Sequence, residues 1–446
     1  MTTRSTKALS ALGAALMVAA APAMAAGPDA DARIRELERK LERSMQMIES
    51  LQGEVQTLKA AKAGEAPAAA AAAATAVNAE QSAKIENLER QVAQLGSGLS
   101  ARGTDDGVGL HGFADVGLSR SGENNPVYGR GNKGFNLGSF DLYLTPKFGT
   151  NVRSLIELVF EVDRTGAVNT DLERLQVGYA FNDGVTAWLG RFHTPYGYWN
   201  TAYHHGAQIQ TSVLRPRFLD FEDKGGILPA HTTGAWATGT FHLGVGKLGY
   251  DAYLGNASHI DAGGTLDMKM AGDAKYRTMG GVNAWYSPKA LSALRLGVHG
   301  LRGTVEADAG NASPGLTRLN MYGGYGVFLD DDWEALAEYY RFDNTNLTGG
   351  TGSHQSSAWY AQLGRSFGSF TPYGRIERTS LDQADNYFAQ QANGRSYNRS
   401  VIGLRYEVDP KSALKVELNR TKKKDLGAGV ADDGYNEAYI QYSIRF

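Results

Sequence analysis

Two periodicities divide this chain. In the first part, Ile34, Leu37, Leu41, Ser44, Ile48, Leu51, Val55 and Leu58 fall alternately three and four residues apart. That spacing is the a/d seam of a coiled coil, with Ser44 its one polar member. Arg35, Glu36, Glu38, Arg39, Lys40, Glu42 and Arg43 place mixed charges off the seam. At 1.5 Å per residue the helix would reach about 37 Å. Such a seam stays exposed unless copies associate, so it predicts an oligomer and leaves dimer against trimer open. The other reading is a helix packed on its own chain, but no neighbouring helix is evident. Residues 63–80 are Ala-rich, with Gly64 and Pro67, and read as a low-complexity linker. A short second seam at Ile85, Leu88, Val92 and Leu95 ends at Gly96 and Gly98. The division is a coil over 26–62, a linker over 63–80, a second coil segment over 81–102, and a β domain over 103–446.

From Val108 onward the period is two. Ile156, Leu158, Phe160 and Val162 alternate with Glu157, Val159, Glu161 and Asp163. Leu175, Val177, Tyr179 and Phe181 alternate with Gln176, Gly178 and Ala180, and Leu414, Val416 and Leu418 with Lys415, Glu417 and Asn419. One face is apolar and the other carries charge. In a soluble sandwich the apolar face meets a second sheet, whereas in a membrane barrel it meets lipid and the charged face lines water.

The turns separate these readings. The pattern predicts sixteen strands, near 108–119, 137–149, 153–164, 172–182, 184–193, 231–242, 247–256, 278–287, 291–302, 318–328, 332–343, 355–368, 370–381, 397–408, 412–425 and 435–446. Connections alternate between short turns, such as Asp183-Gly184 and Asp409-Pro410-Lys411, and longer loops, the longest being 194–230. Short turns on one rim and long loops on the other are the sidedness of bacterial outer-membrane barrels. An even count returns both barrel ends to the short-turn side, where the stalk must be. Eleven residues at about 3.4 Å, tilted about 45°, rise roughly 26 Å, close to the apolar band of an outer membrane. The ending Tyr442-Ser443-Ile444-Arg445-Phe446 resembles the C-terminal signature of such barrels. It would put Tyr442 and Phe446 in the inner aromatic girdle.

Composition narrows this further. With 42% hydrophobic residues, 21% charged residues and mean hydropathy −0.34, the average resembles a soluble protein. No run of eighteen apolar residues lies outside the extreme N-terminus, so helical spans are excluded there. The 55 Gly, 22 Tyr and 16 Phe suit strands, tight turns and aromatic girdles. Cys is absent, which removes disulfides and thiolate sites. Arg and Lys are spread along the chain, so there is no footprint for nucleic acid. Arg4 and Lys7, the stretch Ala8 to Ala21, and Ala23-Met24-Ala25 read as a signal peptide over residues 1–25. The expected fold is therefore all-β and transmembrane. It is a closed antiparallel up-and-down barrel of about sixteen strands behind a helical coiled coil, in the bacterial outer membrane with the coil in the periplasm.

Sixteen strands leave an aqueous lumen. The expected pore lining is Arg174, Arg191, Arg295, Arg375 and Arg405 with Glu157, Glu161 and Asp163, joined by Glu407 and Glu417. A loop as long as 194–230 is usually functional. Its Arg215, Arg217 and Lys224 beside Asp220, Glu222 and Asp223 form the expected constriction. Mixed signs there set up a transverse field that filters solutes by charge distribution more than by net charge.

Other chemistry is weaker. Gly107-Val108-Gly109-Leu110-His111-Gly112 matches G-x-G-x-x-G but opens a strand where a dinucleotide site needs a helix. His193, His204 and His205 lack a defined ligand set for metal. Ser212 near His204 is the one loose hydrolase pairing. The plug and about 22 strands of a plugged transporter exceed the barrel's length. Tyr196, Tyr198, Trp199 and Tyr203 open the long loop, either as a stacking slide or as packing against the wall. No cofactor and no enzymatic activity are expected.

The run Leu189-Gly190-Arg191-Phe192-His193-Thr194-Pro195-Tyr196-Gly197 is similar to the strand-to-loop junction of the phosphate-selective porin O/P superfamily. A coil followed by a barrel resembles its DcaP-like branch. The resemblance implies a homotrimeric porin in outer-membrane lipid, passing small hydrophilic and often anionic solutes, with a third loop that folds inward. The other reading is an envelope-tethering protein whose stalk reaches peptidoglycan, the pore being incidental.

Overall fold

The computed structural model describes residues 109–122, 133–146, 148–162, 167–203, 206–268, 277–308, 315–350, 352–424 and 433–446. The signal peptide, both coil segments with the seam from Ile34 to Leu58, and the linker lie outside the described residues. So do Asp163, His204, His205 and the side chain of Asp223.

Sixteen strands form one antiparallel sheet. They are β1 (Gly109–Ser121), β2 (Lys133–Thr145), β3 (Val152–Val162), β4 (Val168–Asn182), β5 (Val185–His193), β6 (His231–Leu243), β7 (Gly246–Asn256) and β8 (Thr278–Pro288). Then follow β9 (Leu294–Ala307), β10 (Gly315–Leu329), β11 (Trp333–Asn346), β12 (Gly352–Arg365), β13 (Phe370–Ser380), β14 (Tyr397–Asp409), β15 (Ser412–Lys423) and β16 (Asp433–Arg445). Each strand pairs with the next in sequence. β1 then pairs with β16, from Phe113 opposite Arg445 to Ser121 opposite Glu437, and the sheet closes. Phe446 joins the closure by exchanging backbone hydrogen bonds of 3.0 and 3.1 Å with Gly112. Closure leaves no barrel strand with a free edge among the described residues. Both barrel ends therefore lie on the short-turn rim. Two further strands, His259–Ile260 and Leu266–Asp267, make a small hairpin inside the 257–277 loop and reach the end of β9.

The alternation read from sequence is borne out in exposure. On β15, Leu414, Val416 and Leu418 are 40%, 41% and 49% exposed, while Lys415 and Glu417 between them are 0% exposed. The same contrast holds along β4, where Leu175, Val177, Tyr179 and Phe181 are exposed and Gln176 is buried. An apolar side chain facing outward on every strand is stable only where the surroundings are apolar. Aromatic side chains collect towards the short-turn rim, in the pairs Tyr179–Phe181, Phe241–Tyr250, Phe370–Tyr406 and Phe140–Phe446.

The strand count agrees with the sequence; β2 and β12 end at Thr145 and Arg365, short of the expected bounds, while several strands are longer than expected. On the long-loop side β4 starts at Val168, β9 runs to Ala307, β10 starts at Gly315 and β11 runs to Asn346. Each is three to five residues longer than the periodicity predicts. At the end of β11 the extension, Asn344, Thr345 and Asn346, is polar on both faces and carries no apolar alternation to read. β2 starts at Lys133 because a bulge opposite Asp115 breaks its register at Gly138.

Candidate functional site

The loop over 194–230 does not cover the outer rim. It lies against the inner face of β11 to β15 and is held there by its own backbone. Three glutamates on alternate strands accept from its N–H groups. Glu338 on β11 accepts from Tyr198 N at 3.0 Å and Trp199 N at 2.7 Å. Glu377 on β13 accepts from Arg217 N at 2.8 Å. Glu417 on β15 accepts from Val213 N at 2.8 Å and Leu214 N at 3.3 Å. Each carboxylate also takes a tyrosine hydroxyl: Tyr340 and Tyr360 on Glu338, Tyr397 on Glu377, Tyr373 on Glu417, at 2.6 to 3.0 Å. All three glutamates are buried.

Cations on the same wall take the loop's carbonyls. Arg375 donates to Arg215 O at 3.1 Å and Ser212 Oγ at 3.0 Å, and its Nε pairs with Glu377 at 2.8 Å. Arg405 donates to Gln208 O at 2.6 Å and Gln210 O at 2.8 Å. Lys415 donates to Ala207 O and Ser212 O. A loop without regular structure must find partners for its N–H and C=O groups when buried. Here the wall supplies both kinds from inward-facing side chains. Hydrogen bonds to charged groups contribute about 1.5–3 kcal/mol each, so the set outweighs the ordering cost of several residues.

Apolar packing completes the seat. Tyr196, Trp199, Phe218, Leu219, Ile227 and Leu228 of the loop join Tyr340, Phe342 and Tyr360 of the wall in one buried cluster. Tyr196 meets Tyr340, and Trp199 meets Tyr360, edge to face. From the outer side, the loop over 381–396 carries a one-turn helix at Asn386–Ala389, whose Tyr387 donates to Ile227 O at 2.7 Å. Asp385 caps that turn through Tyr387 N, and burial pushes its carboxyl above the usual range.

The junction sequence has a geometric reason. Gly197 has φ +61°, and a Cβ there would stand 2.1 Å from Glu338 Oε2 and 2.2 Å from Tyr340 Oη. Only glycine lets the chain turn off β5 and lie this close to the first carboxylate.

The expected constriction residues divide. Arg215 is buried, bonds Leu219 O at 2.9 Å and Asn200 Oδ1 at 3.2 Å, and lies over Phe221. Asp220 is buried beside the Phe221 N–H. Glu222 is buried and accepts from the N–H groups of Ala230 and His231. These three shape the loop itself. Arg217 bonds the Tyr435 hydroxyl, and Lys224 pairs with Glu161 across to β3, both side chains remaining partly open.

The expected lining residues divide likewise. Arg375 and Arg405 hold the loop. Arg174 pairs with buried Glu157. Arg191 is buried and donates to Glu173 O at 3.0 Å. Arg295 is half-exposed, over Trp285 at 4.1 Å and Tyr198 at 5.5 Å. Glu407 pairs with Arg405 at 2.5 Å. Sequence reasoning did not single out Glu338, Glu377 or the tyrosines that share their carboxylates. An inward glutamate two residues from a tyrosine on a wall strand, as in Glu338 and Tyr340, was the available signal. Ser212, the hydrolase candidate, is wholly buried with its hydroxyl engaged by Arg375 and Leu214 O. Tyr196 and Trp199 are packing residues, while the Tyr198 ring lies under the Arg295 guanidinium.

No family model matches the chain, and no curated protein matches it by sequence. Solved structures do match. The anion-selective porin from Comamonas acidovorans superposes with TM-score 0.50 at 12% identity, over 76% of this chain and 99% of that chain. This is the porin fold. The outer membrane channel DcaP of Acinetobacter baumannii gives TM-score 0.49 at 13% identity, over 76% and 97%. OmpT of Vibrio cholerae gives 0.49 at 8%, over 77% and 99%. At these identities the likeness is one of fold alone.

Proposed function

We propose that the chain is an outer-membrane porin that passes small hydrophilic solutes passively through a barrel narrowed by the 194–230 loop. The observation that carries this is the segregation of the two faces: apolar side chains outside on every strand, and charge inside around a loop bonded to the wall. In this reading the barrels assemble as homotrimers and the coil projects into the periplasm. Arg217 and Lys224 of the loop, with Glu161 opposite, stand at the constriction. Arg295 lines the channel beside it. Mixed signs give weak selectivity rather than a filter for one charge. Conductance of purified protein in planar bilayers tests the pore. Its reversal potential in a salt gradient tests the constriction, where near-ideal anion selectivity would defeat the mixed-charge reading and absence of conductance would defeat the pore.

A further inference from the structure

The inner wall of β6 to β9 holds two opposite charges that do not meet. Arg174, Arg191, Arg375 and Arg405 each face a glutamate within 4.0 Å. Arg295, at the start of β9, makes no ion pair and no hydrogen bond among the described residues. Its guanidinium lies over Trp285 at 4.1 Å and over Tyr198 of the loop at 5.5 Å. Asp251 on β7 is its counterpart. It accepts at 3.1 Å from Trp236 Nε1 and from Asn283 Nδ2, both neutral donors. No cation pairs with it among the described residues.

Trp285 sets their separation. Asp251 and Gly249 are successive inward positions of β7, roughly 6.8 Å apart. Trp285 lies opposite Gly249, and a Cβ on that glycine would stand 2.1 Å from the indole. The indole therefore covers Gly249, one inward step from the carboxylate, and carries the guanidinium on its face. Arg295, Asp251, Trp285, Trp236 and Tyr198 are all partly exposed on this inner face.

We infer that Arg295 and Asp251 form a subsite for zwitterionic α-amino acids, the carboxylate on Arg295 and the ammonium on Asp251. This deepens the pore reading above and rests on it. An anion on Arg295 would meet the Asp251 carboxylate one step away, and a cation on Asp251 would meet the guanidinium. A solute carrying both charges gains at both ends. An α-amino acid holds its two charges on one carbon. A charge-assisted hydrogen bond of about 2.8 Å at each end lets it bridge such a step. The guanidinium fork suits a carboxylate, and the aromatic faces of Trp236 and Tyr198 suit an ammonium and an apolar side chain.

The test titrates purified full-length protein in detergent at neutral pH, with binding followed by ligand-observed saturation-transfer NMR. The probes are phenylalanine, hydrocinnamate, which lacks the ammonium, and phenethylamine, which lacks the carboxylate. The parent should bind phenylalanine about tenfold more tightly than either one-charge analogue, since each arm is a charge-assisted contact. Arg295→Gln should weaken phenylalanine about tenfold and leave phenethylamine no weaker. Asp251→Asn should weaken phenylalanine about tenfold and leave hydrocinnamate no weaker. Hydrocinnamate binding as tightly as phenylalanine overturns the inference, because the wall would then be a plain anion site. Phenethylamine binding as tightly overturns it as well, leaving an aromatic cation site. Phenylalanine bound equally by parent and Arg295→Gln has the same consequence. Should Asp251→Asn not fold, the probe series on the parent and on Arg295→Gln makes the decision. Conductance is read separately. Phenylalanine bound without a pore would remove the proposed function and leave the subsite standing, whereas a pore without selective binding would remove the subsite alone.

Discussion

The two inner walls of the barrel differ in what their charges do. On β11 to β15, Glu338, Arg375, Glu377, Arg405, Lys415 and Glu417 are all buried and bonded to the 194–230 loop. On β6 to β9, the inward polar groups bond mainly to one another. Trp236 Nε1 and Asn283 Nδ2 both donate to Asp251 at 3.1 Å, and Arg295 lies on Trp285. One wall carries charge to hold a loop, and the other carries charge that stays within reach of water. Counting inward charges therefore says little about selectivity until each has been assigned to one of these tasks.

The sharpest way to break the comparison is to remove the clamps. E338A/E377A/E417A should free the loop from the first wall, since taking one partner from a buried charged contact costs about 3–5 kcal/mol. Single-channel conductance should rise by about twofold or more, with added current noise as the loop leaves the lumen. Paired substitutions of Asp251 and Asn283 on the other wall should leave the conductance level unchanged. Equal conductance in both variants would mean that the loop does not narrow the channel.

The sequence made one half of this comparison legible and hid the other. Alternation, turn lengths and the terminal Tyr442-Ser443-Ile444-Arg445-Phe446 suffice for sixteen strands, because outward residues in the middle of each strand must be apolar whatever they border. Inward residues obey no such rule. Glu417, in contact with loop backbone, and Glu161, partly open beside Lys224, look alike in a strand pattern. The partner that distinguishes them is roughly two hundred residues away for Glu417 and sixty-three away for Glu161. The bulge at Glu173 was hidden for a related reason. A register shift between Glu157 and Leu158 turns Glu173 towards His231, and periodicity of two has no symbol for an extra residue.

A subtler break is Gly197→Ala. The left-handed φ costs about 1–3 kcal/mol for a residue with a Cβ, and the methyl meets Glu338 and Tyr340. Docking of the first loop segment should weaken while Glu377 and Glu417 still hold the rest. The expected result is a lower temperature for loss of the folded band on semi-native gels, with intermediate conductance. A band and conductance like those of the parent protein would show that the junction tolerates a side chain.

Arg295→Gln sharpens the comparison with the smallest effect. This guanidinium is half-exposed and stacked on Trp285 and Tyr198, so it faces solvent that screens it within about 10 Å at moderate salt. Removing one positive charge from the open wall should move the reversal potential slightly towards cations, more at low salt than at high, with conductance and stability unchanged. Arg375→Gln on the clamped wall should do the opposite. That side chain is buried among Glu377, Gln362, Ser212 and the Arg215 carbonyl, so its loss should lower stability and shift the reversal potential little. If Arg375→Gln moved selectivity as much as Arg295→Gln, the buried wall would be electrically part of the channel, and the division of labour between the two walls would fail.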